Sequence, residues 1–389
     1  MTDSGRRDHG WSRLDGVDVL RGLAILLVLL NHVNMRLVLA DIPYGQSLPR
    51  QLLSSLVWSG QYGVQMFFAV SGFLITSMSL RRWGSLSGIA PGSFYLLRIA
   101  RIAPLLLLLL LVLVLLHFTG SHWFQVTDKM GGLGRAVLAA LTFRINVLEA
   151  RLGYLPGSWD ILWSLSVEEA FYLGFPIACL LLGRGRGRGF FVLLATFVAL
   201  GPLARTIWAH GNETWQEYSY LGGMDAIALG CLTALLAPKL KLSRRSALLL
   251  RSAGTAVILF VLGFPATMER LGLARSGLGM TIIALGACLV MAAVAQSTPT
   301  GVSFLRPLMW LGRRSYEIYL THMFVVIGCF VLFMKLGAPA IGVPVMFVIV
   351  ILLAGVVGEL VRRFYSEPAN QYLRRRWCHG PEENLHVAS

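Results

Sequence analysis

Long apolar runs, separated by short polar and basic gaps, cover most of the chain. A helix needs about 20 mostly apolar residues to cross the ~30 Å hydrocarbon core of a bilayer. Stretches that meet this requirement lie near 17–39, 61–80, 94–117, 161–183, 189–208, 218–237, 247–266, 277–296, 314–334 and 341–363. The pattern predicts an all-α, polytopic integral membrane helix bundle of about ten transmembrane helices. A weaker stretch at 133–148 is too short to span and carries Arg135 and Arg144, so we predict an interfacial or re-entrant helix there.

The composition excludes an ordinary soluble protein. Of the 389 residues, 56% are hydrophobic and only 14% are charged, a balance that a globular interior cannot absorb. The net charge is +15, which in a soluble domain would suggest binding to nucleic acid. Here the basic residues fall in the gaps between apolar runs, as in loops anchored at a membrane surface. We therefore predict a lipid bilayer, and no nucleic acid, as a partner.

Lysine and arginine positions predict how the spans are oriented. With both termini in the cytoplasm, most basic residues fall in cytoplasmic segments, as the positive-inside rule requires. The basic clusters that follow the second, fourth and sixth spans are Arg81 and Arg82; Arg184, Arg186 and Arg188; and Lys239 to Arg245. An N-in, C-in bundle is the topology we predict.

This topology divides the chain into three parts. We predict a cytoplasmic tail at 1–16, a membrane domain at 17–363 and a second cytoplasmic tail at 364–389. The first apolar run has no small-residue cleavage site behind it, so we expect a retained helix and not a signal peptide. The longest gap, 118–160, is predicted to lie outside, and loops of this length are usually functional or flexible.

The five cysteines are scattered along the chain. They are Cys179, Cys231, Cys288, Cys329 and Cys378. No C-x-x-C pair occurs and no histidine lies at metal-ligand spacing, so we predict neither a disulfide framework nor a metal site. Small apolar filler within helices is the expected role of these side chains.

The first span contains an ionisable pair in a regular spacing. Arg21 and His32 are eleven positions apart, so both project from one face of a helix, ~16 Å apart along its axis. Arg21 is then near the cytoplasmic boundary and His32 is deep in the span. Because ionisable groups within a membrane face a bundle interior or a wet cavity, His32 is a candidate site residue. The alternative is that Arg21 reaches lipid phosphates and His32 merely bonds a neighbouring helix.

A pair of arginines lies where the third span begins. Arg98 and Arg101 are three positions apart, on one helical face. A forked pair of this kind suits a phosphate or diphosphate. Simple anchoring at the cytoplasmic surface is the alternative, but the pair would lie at the same membrane level as Arg21.

Two adjacent carboxylates open the fourth span. Glu168 and Glu169 point about 100° apart on a helix, so only one can face a given partner. One of them could hold an imidazole in its useful tautomer, as the acid of a catalytic triad does. The alternative is an acidic cluster favoured by the helix N-terminus.

Other polar groups within the spans are candidate cavity-lining residues. They are Ser71, Tyr172, Asp225, Glu317 and His322. Small or aromatic packing is the alternative for Ser71 and Tyr172. Asp225, Glu317 and His322 could instead pair with arginines such as Arg205.

Together these segments resemble the acyltransferase-3 family of membrane O-acyltransferases over essentially the whole chain. The matching motifs are Arg21 to His32 in span one, Gly63 to Ile75 in span two, Arg98-x-x-Arg101, the W-S-L-S-V-E-E block from Trp163 to Tyr172, Ser315 to His322 in span nine, and Ser366-Glu367-Pro368. One departure is Ala170, where the family usually carries Gln. A second concerns the extracytoplasmic esterase-like domain that many members append, which we do not expect in this protein.

The resemblance implies an activity and roles for the residues. It implies transfer of an acyl group, most often acetyl, from acyl-CoA as co-substrate to a hydroxyl of a surface polysaccharide, glycolipid or glycosylated metabolite, with no permanently bound cofactor. Arg21, Arg98 and Arg101 would bind the donor. His32 would be the general base, or an acyl-carrying nucleophile, oriented by Glu168 or else by Glu169. The acceptor, the acyl length and the oligomeric state stay open.

A transporter is the alternative from another functional class. Many spans with internal charges also describe a permease. Transporters tend to interrupt helices with Gly or Pro near the midplane, whereas spans one and three are continuous leucine-rich runs with charges at one end. This difference favours the enzyme.

Overall fold

A computed structural model describes residues 15–42, 44, 55, 57–184, 187–296, 303–339 and 342–377. Within these residues the chain is helical and contains no strand. The helices are α1 (Asp15–Leu39), α2 (Gly60–Trp83), α3 (Pro91–His117), α4 (Gly132–Leu141), α5 (Ile145–Leu152), α6 (Gly157–Asp160), α7 (Leu162–Leu182), α8 (Arg188–Arg205), α9 (Glu213–Tyr218), α10 (Tyr220–Leu236), α11 (Arg244–Gly263), α12 (Pro265–Arg270), α13 (Leu278–Val294), α14 (Arg306–Arg313), α15 (Ser315–Lys335), α16 (Val343–Val361) and α17 (Glu367–Trp377).

The long helices coincide with the predicted spans. By length and composition, the described residues contain nine helical segments able to cross a membrane. They begin at Asp15, Gly60, Pro91, Gly157, Arg188, Glu213, Arg244, Ser315 and Val343. The remaining predicted span, 277–296, is the shorter apolar helix α13 of 17 residues, ~26 Å long and at the lower limit for crossing. The all-α polytopic prediction is confirmed.

The predicted tails are described only in part. Residues 1–14 and 378–389, with Cys378, lie outside the described residues. The beginning of the predicted C-terminal tail is helical. A π-helical turn at Arg362–Ser366 leads from α16 into α17. This polar helix packs along α3.

Small residues allow the central helices to approach closely. A Cβ atom at Gly72 of α2 would collide with the carbonyl oxygen of Ile227 on α10, and one at Gly230 would collide with that of Ala69. Glycine at such crossings lets two helix backbones touch, which is the usual basis of helix association in a membrane. The α2–α10 pair therefore forms a rigid centre against which α1 and α13 pack.

A buried ion pair joins α8, α10 and α13. The guanidinium of Arg205 donates to both carboxylate oxygens of Asp225, at 2.7 and 3.1 Å. Arg205 also donates to Thr281 and to the carbonyl oxygens of Gly222 and Gly277. Because side-chain exposure is 5% for Arg205 and 0% for Asp225, these contacts satisfy two charges that the hydrocarbon could not solvate.

The gap 118–160 folds back over the end of the bundle. It forms α4, α5 and α6. The Asn146 amide donates to the Tyr218 carbonyl at 3.0 Å, and the Trp159 indole donates to the Phe124 carbonyl at 3.2 Å. The segment predicted as an interfacial or re-entrant helix is thus a pair of short helices, α4 and α5.

Candidate active site

A cavity of about 810 Å³ lies between the helices that carry the predicted motifs. Its apolar walls come from α2, α3 and α7. Among the predicted site residues, those that line it are Arg21, Ser71, Arg98, Arg101, Glu168, Glu169 and Tyr172. The structure therefore brings together motifs that are far apart in sequence.

Arg98 and Arg101 enter the cavity from the same face of α3. Pro91 lies at the start of this helix, where its missing N–H costs nothing, and the arginines follow two turns later. Arg98 pairs with Glu169 at 3.0 Å, and its guanidinium lies 3.7 Å from the centre of the Tyr172 ring. The ring and the carboxylate fix the guanidinium plane in the cavity wall.

The other two arginines predicted as site residues differ in whether a carboxylate lies beside them. Arg101 lies 3.5 Å from Glu317 and 4.7 Å from the centre of the Tyr316 ring. Arg21 of α1 lines the same cavity and forms no ion pair with a carboxylate of the described residues. Of the three predicted arginines, Arg98 and Arg101 are thus partly neutralised, and Arg21 has no carboxylate partner among the described residues.

Glu168 has partners other than the expected one. It accepts hydrogen bonds from the Tyr172 hydroxyl, at 2.7 Å, and from the Ser71 hydroxyl. The hypothesis that Glu168 orients His32 therefore has no hydrogen bond to support it in the described part of the chain. Glu169, the other choice, is engaged with Arg98.

His32 lies against a second histidine. The rings of His32 and His322 are 5.0 Å apart between centroids and tilted by 47°. Nδ1 of His322 lies 2.6 Å from the Tyr319 carbonyl oxygen; a carbonyl only accepts, so Nδ1 carries the proton and Nε2 has a free lone pair. Within the described residues, Nε2 of His322 and Nδ1 of His32 are buried without a hydrogen-bond partner.

His32 lies apart from the predicted arginines and glutamates that line the cavity. His32 is not among the cavity-lining residues. Tyr319 lines the cavity, and its ring centroid lies 5.7 Å from that of His322. The Tyr319 hydroxyl is held by Ser164, at 2.6 Å, and by the Ile161 carbonyl. Tyr319 and His322 therefore lie between the cavity and His32.

Three of the candidate cavity-lining residues lie outside the lining. Asp225 is bound to Arg205, which was the stated alternative. Glu317 is fully buried behind the wall, where it contacts Arg101 and accepts from the Ser366 hydroxyl at 2.8 Å. His322 is fully buried beside His32. Each packs against another helix with a polar partner, because a buried charge or imidazole in a membrane bundle needs one.

A polar cluster beyond His32 was missed by the sequence reasoning. Arg36, one turn further along α1, lies over the Trp123 ring at 5.6 Å. Asp160 accepts from the Tyr218 hydroxyl at 3.0 Å, and the Tyr218 ring stacks on Trp163 at 4.1 Å. The i to i+4 spacing of His32 and Arg36 was the available signal, since it places both on one helical face.

Glu149 belongs to the same end of the bundle. Burial, together with the nearby Asp160 carboxylate, raises the pKa of Glu149 well above its ordinary value. Its side chain accepts from the Leu155 N–H at 3.0 Å. In the described part of the chain, no group of three His, Cys, Asp or Glu residues could hold a metal ion.

Comparison with known proteins decides the family. The family model described as "Acyltransferase domain" matches residues 14–360. The chain belongs to this acyltransferase family. The family prediction is confirmed.

Relatives in the acyltransferase family are identical to the chain at about a quarter of the aligned positions. The peptidoglycan O-acetyltransferase OatA of Listeria monocytogenes is 26% identical over 82% of this chain and 50% of its own length. The putative peptidoglycan O-acetyltransferase YrhL of Bacillus subtilis is 26% identical over 91% and 54%. A putative O-acetyltransferase of Staphylococcus aureus is 26% identical over 80% and 50%. The chain thus spans about half the length of these relatives. No solved structure matches.

Proposed function

We propose that the chain is a membrane O-acyltransferase that moves an acyl group, in the first instance acetyl, from acyl-CoA to a hydroxyl of a carbohydrate-type acceptor. The observation that carries this proposal is a cavity that is lined by the three predicted arginines and leads toward a pair of histidines. The names of the relatives, which are O-acetyltransferases, support it. We also propose the N-in, C-in orientation in the bacterial cytoplasmic membrane.

The cavity suits a donor with a charged and an uncharged part. Arg21, Arg98 and Arg101 offer guanidinium groups to the phosphates of coenzyme A. Apolar residues such as Phe67 and Leu165 line the cavity as well, and they suit an uncharged thioester arm. The phosphates would be drawn to the arginines, and the acyl group would point toward Tyr319.

His32 is the proposed general base. Its neutral imidazole takes the proton of the acceptor hydroxyl as the oxygen attacks the thioester carbonyl. The new C–O bond forms and the C–S bond breaks, so that the coenzyme A thiolate leaves and then takes the proton from the imidazolium. The acceptor oxygen must come close to His32, and the Arg36 and Trp123 end of α1 is the proposed side of approach.

His322 is the proposed positioning residue for His32. Its Nε2 lone pair is free to accept an N–H from His32, because its Nδ1–H is directed at the Tyr319 carbonyl. A hydrogen bond of this kind fixes which nitrogen of the base carries the lone pair. His322 thus takes the orienting role that we first assigned to Glu168.

Replacing His322 tests this role. We expect His322→Phe, which keeps a planar ring but removes the acceptor, to lower kcat by about tenfold to a hundredfold, as for loss of one hydrogen bond in the transition state. The KM for acetyl-CoA should stay near its original value, because the donor arginines are untouched. His322→Gln, whose amide oxygen can accept, should recover part of the rate. An equal loss in both variants would contradict the role.

Replacing Arg98 tests the donor site. We expect Arg98→Ala to raise the KM for acetyl-CoA by about tenfold or more, because a charge-assisted hydrogen bond to phosphate contributes ~1.5–3 kcal/mol. The measurement is initial rate against acetyl-CoA concentration in detergent, with O-acetyl ester on a glycan fragment detected by mass spectrometry. Arg188→Ala, at an exposed position at the start of α8, is the control.

Replacing Arg98 also affects Glu169, and a second variant separates the two effects. Removing Arg98 leaves the buried Glu169 without its ion-pair partner. Arg98→Ala combined with Glu169→Gln removes that charge as well. If the double variant returns to the original KM, the arginine serves only to neutralise Glu169 and the phosphate assignment fails.

A further inference from the structure

The C-terminal helix α17 contributes to the wall of the donor cavity. Asn370 and Arg374, four residues apart and so on one helical face, both line it. The start of the helix is tied to the donor site: the Ser366 hydroxyl donates to Glu317, which contacts Arg101. A segment that we predicted to be a cytoplasmic tail is therefore part of the cavity.

Asn370, which lines this cavity, has an unused hydrogen-bond acceptor. Its side chain is only 7% exposed, and within the described residues its Oδ1 atom has no hydrogen-bond partner. A buried amide oxygen without a donor costs free energy. An unpartnered acceptor in a cavity wall indicates that a ligand N–H or O–H supplies the missing bond.

Arg374 adds an unneutralised charge to the cavity. It forms no ion pair with a carboxylate of the described residues, unlike Arg98 and Arg101. It lies two turns beyond Ser366, ~12 Å further along the α17 axis. Arg81 and Arg82, at the end of α2, line the same cavity. These three arginines therefore add positive charge to a cavity that already holds Arg21, Arg98 and Arg101.

The direction of the donor follows from the position of His32. If acyl-CoA is the donor, as the proposed function holds, its thioester points toward Tyr319 and His32. The opposite end of the molecule, the 3′-phosphorylated adenosine, then lies among the remaining arginines. We propose that Asn370 and Arg374 form a second donor subsite, in which Arg374, with Arg81 and Arg82, binds the 3′-phosphate and Asn370 accepts an N–H of the donor.

Direct binding tests this subsite without requiring turnover. The probes are coenzyme A and 3′-dephospho-coenzyme A, which differ only in the 3′-phosphate, and the readout is the Kd for purified full-length protein in detergent. We expect the unaltered protein to bind coenzyme A about tenfold more tightly than 3′-dephospho-coenzyme A. Arg374→Ala should reduce this ratio of Kd values to near one, because it weakens the binding of coenzyme A alone. Arg374→Lys, which keeps a point charge, should retain part of the preference.

Matched variants separate the subsite from a general effect of charge. Arg375→Ala and Arg376→Ala remove exposed arginines of the same helix that do not line the cavity, and they should leave the ratio unchanged. Asn370→Leu keeps the side-chain size and should weaken both probes severalfold without changing the ratio.

Each contrary outcome identifies what fails. If the unaltered protein shows no preference, or if Arg374→Ala weakens both probes equally, Arg374 does not bind the 3′-phosphate. An equal change, together with weaker binding to anionic lipid vesicles, would assign Arg374 to lipid headgroups instead. Unchanged binding in Asn370→Leu would remove Asn370 from the subsite. Loss of acyl transfer with a preserved binding preference would overturn the proposed function and leave the nucleotide subsite in place.

Discussion

Replacing His32 by alanine is expected to abolish acyl transfer while leaving the protein folded and inserted in the membrane. A general base contributes about 10²–10⁴ in rate, so the remaining activity should fall to the background level. The Nδ1 atom of His32 has no partner among the described residues, and the bond proposed from its N–H to His322 is a single neutral one, worth only ~1 kcal/mol of stability. The loss should therefore appear in kcat, with the binding of coenzyme A unchanged.

A matched control and a thermal measurement make this result specific. His122→Ala removes an exposed histidine whose ring centroid lies 4.3 Å from that of Trp123, and its transfer rate should stay within about twofold of the original. The unfolding midpoint of purified His32→Ala in detergent should match that of the unaltered protein. Full activity in His32→Ala would remove His32 from the mechanism. Lost activity with a lowered midpoint would show instead that the histidine pair is structural.

The sequence predicted which residues line the cavity better than it predicted the contacts between them. Arg21, Arg98 and Glu169 line one cavity because each lies at a helix position whose depth in the membrane and face toward the bundle follow from periodicity and charge. Hydrocarbon leaves few places for such groups, so residues at one depth tend to share one cavity. Depth and helical face therefore predict the lining residues even when the neighbouring helices are not known.

The partner of His32 could not be found in that way. The contact with His322 depends on how α15 is rotated about its axis relative to α1, and that rotation is fixed by side-chain packing between the helices. The hydrogen bond from Ser71 to Glu168 is similar, because it depends on how α2 lies against α7. The bond from Tyr172 to Glu168 joins residues four positions apart on α7 and follows from periodicity alone. Periodicity gives the face of one helix, whereas a hydrogen bond between helices requires the faces of two.

The C-terminal helix was missed for a different reason. Its composition is polar and basic, so it carries no transmembrane signal. A helix of this kind is stabilised by what it packs against, here α3. A hydropathy pattern therefore ends the domain at 363, although the chain returns to the cavity wall after it.

Replacing Asp225 by alanine is expected to lower the stability of the protein, with activity lost only as a consequence. This is the opposite of the result expected for His32→Ala, which should lose activity and keep its stability. The change leaves the guanidinium of Arg205 buried without its carboxylate, and breaking a buried ion pair in this way costs ~3–5 kcal/mol. The checkable quantity is the unfolding midpoint in detergent, which should fall well below that of the unaltered protein. Any correctly folded fraction should keep its KM for acetyl-CoA, because Asp225 does not line the cavity.

A second variant shows whether the charge or the side chain matters. Arg205→Met combined with Asp225→Leu removes both charges and fills the space with apolar atoms, and such replacements are often neutral or stabilising. We expect the double variant to recover most of the midpoint lost in Asp225→Ala. If Asp225→Ala keeps its midpoint but loses kcat, Asp225 belongs to the chemistry after all. The Arg205–Asp225 ion pair would then not be what stabilises the packing of α8, α10 and α13. The active site would have to extend to that side of the bundle.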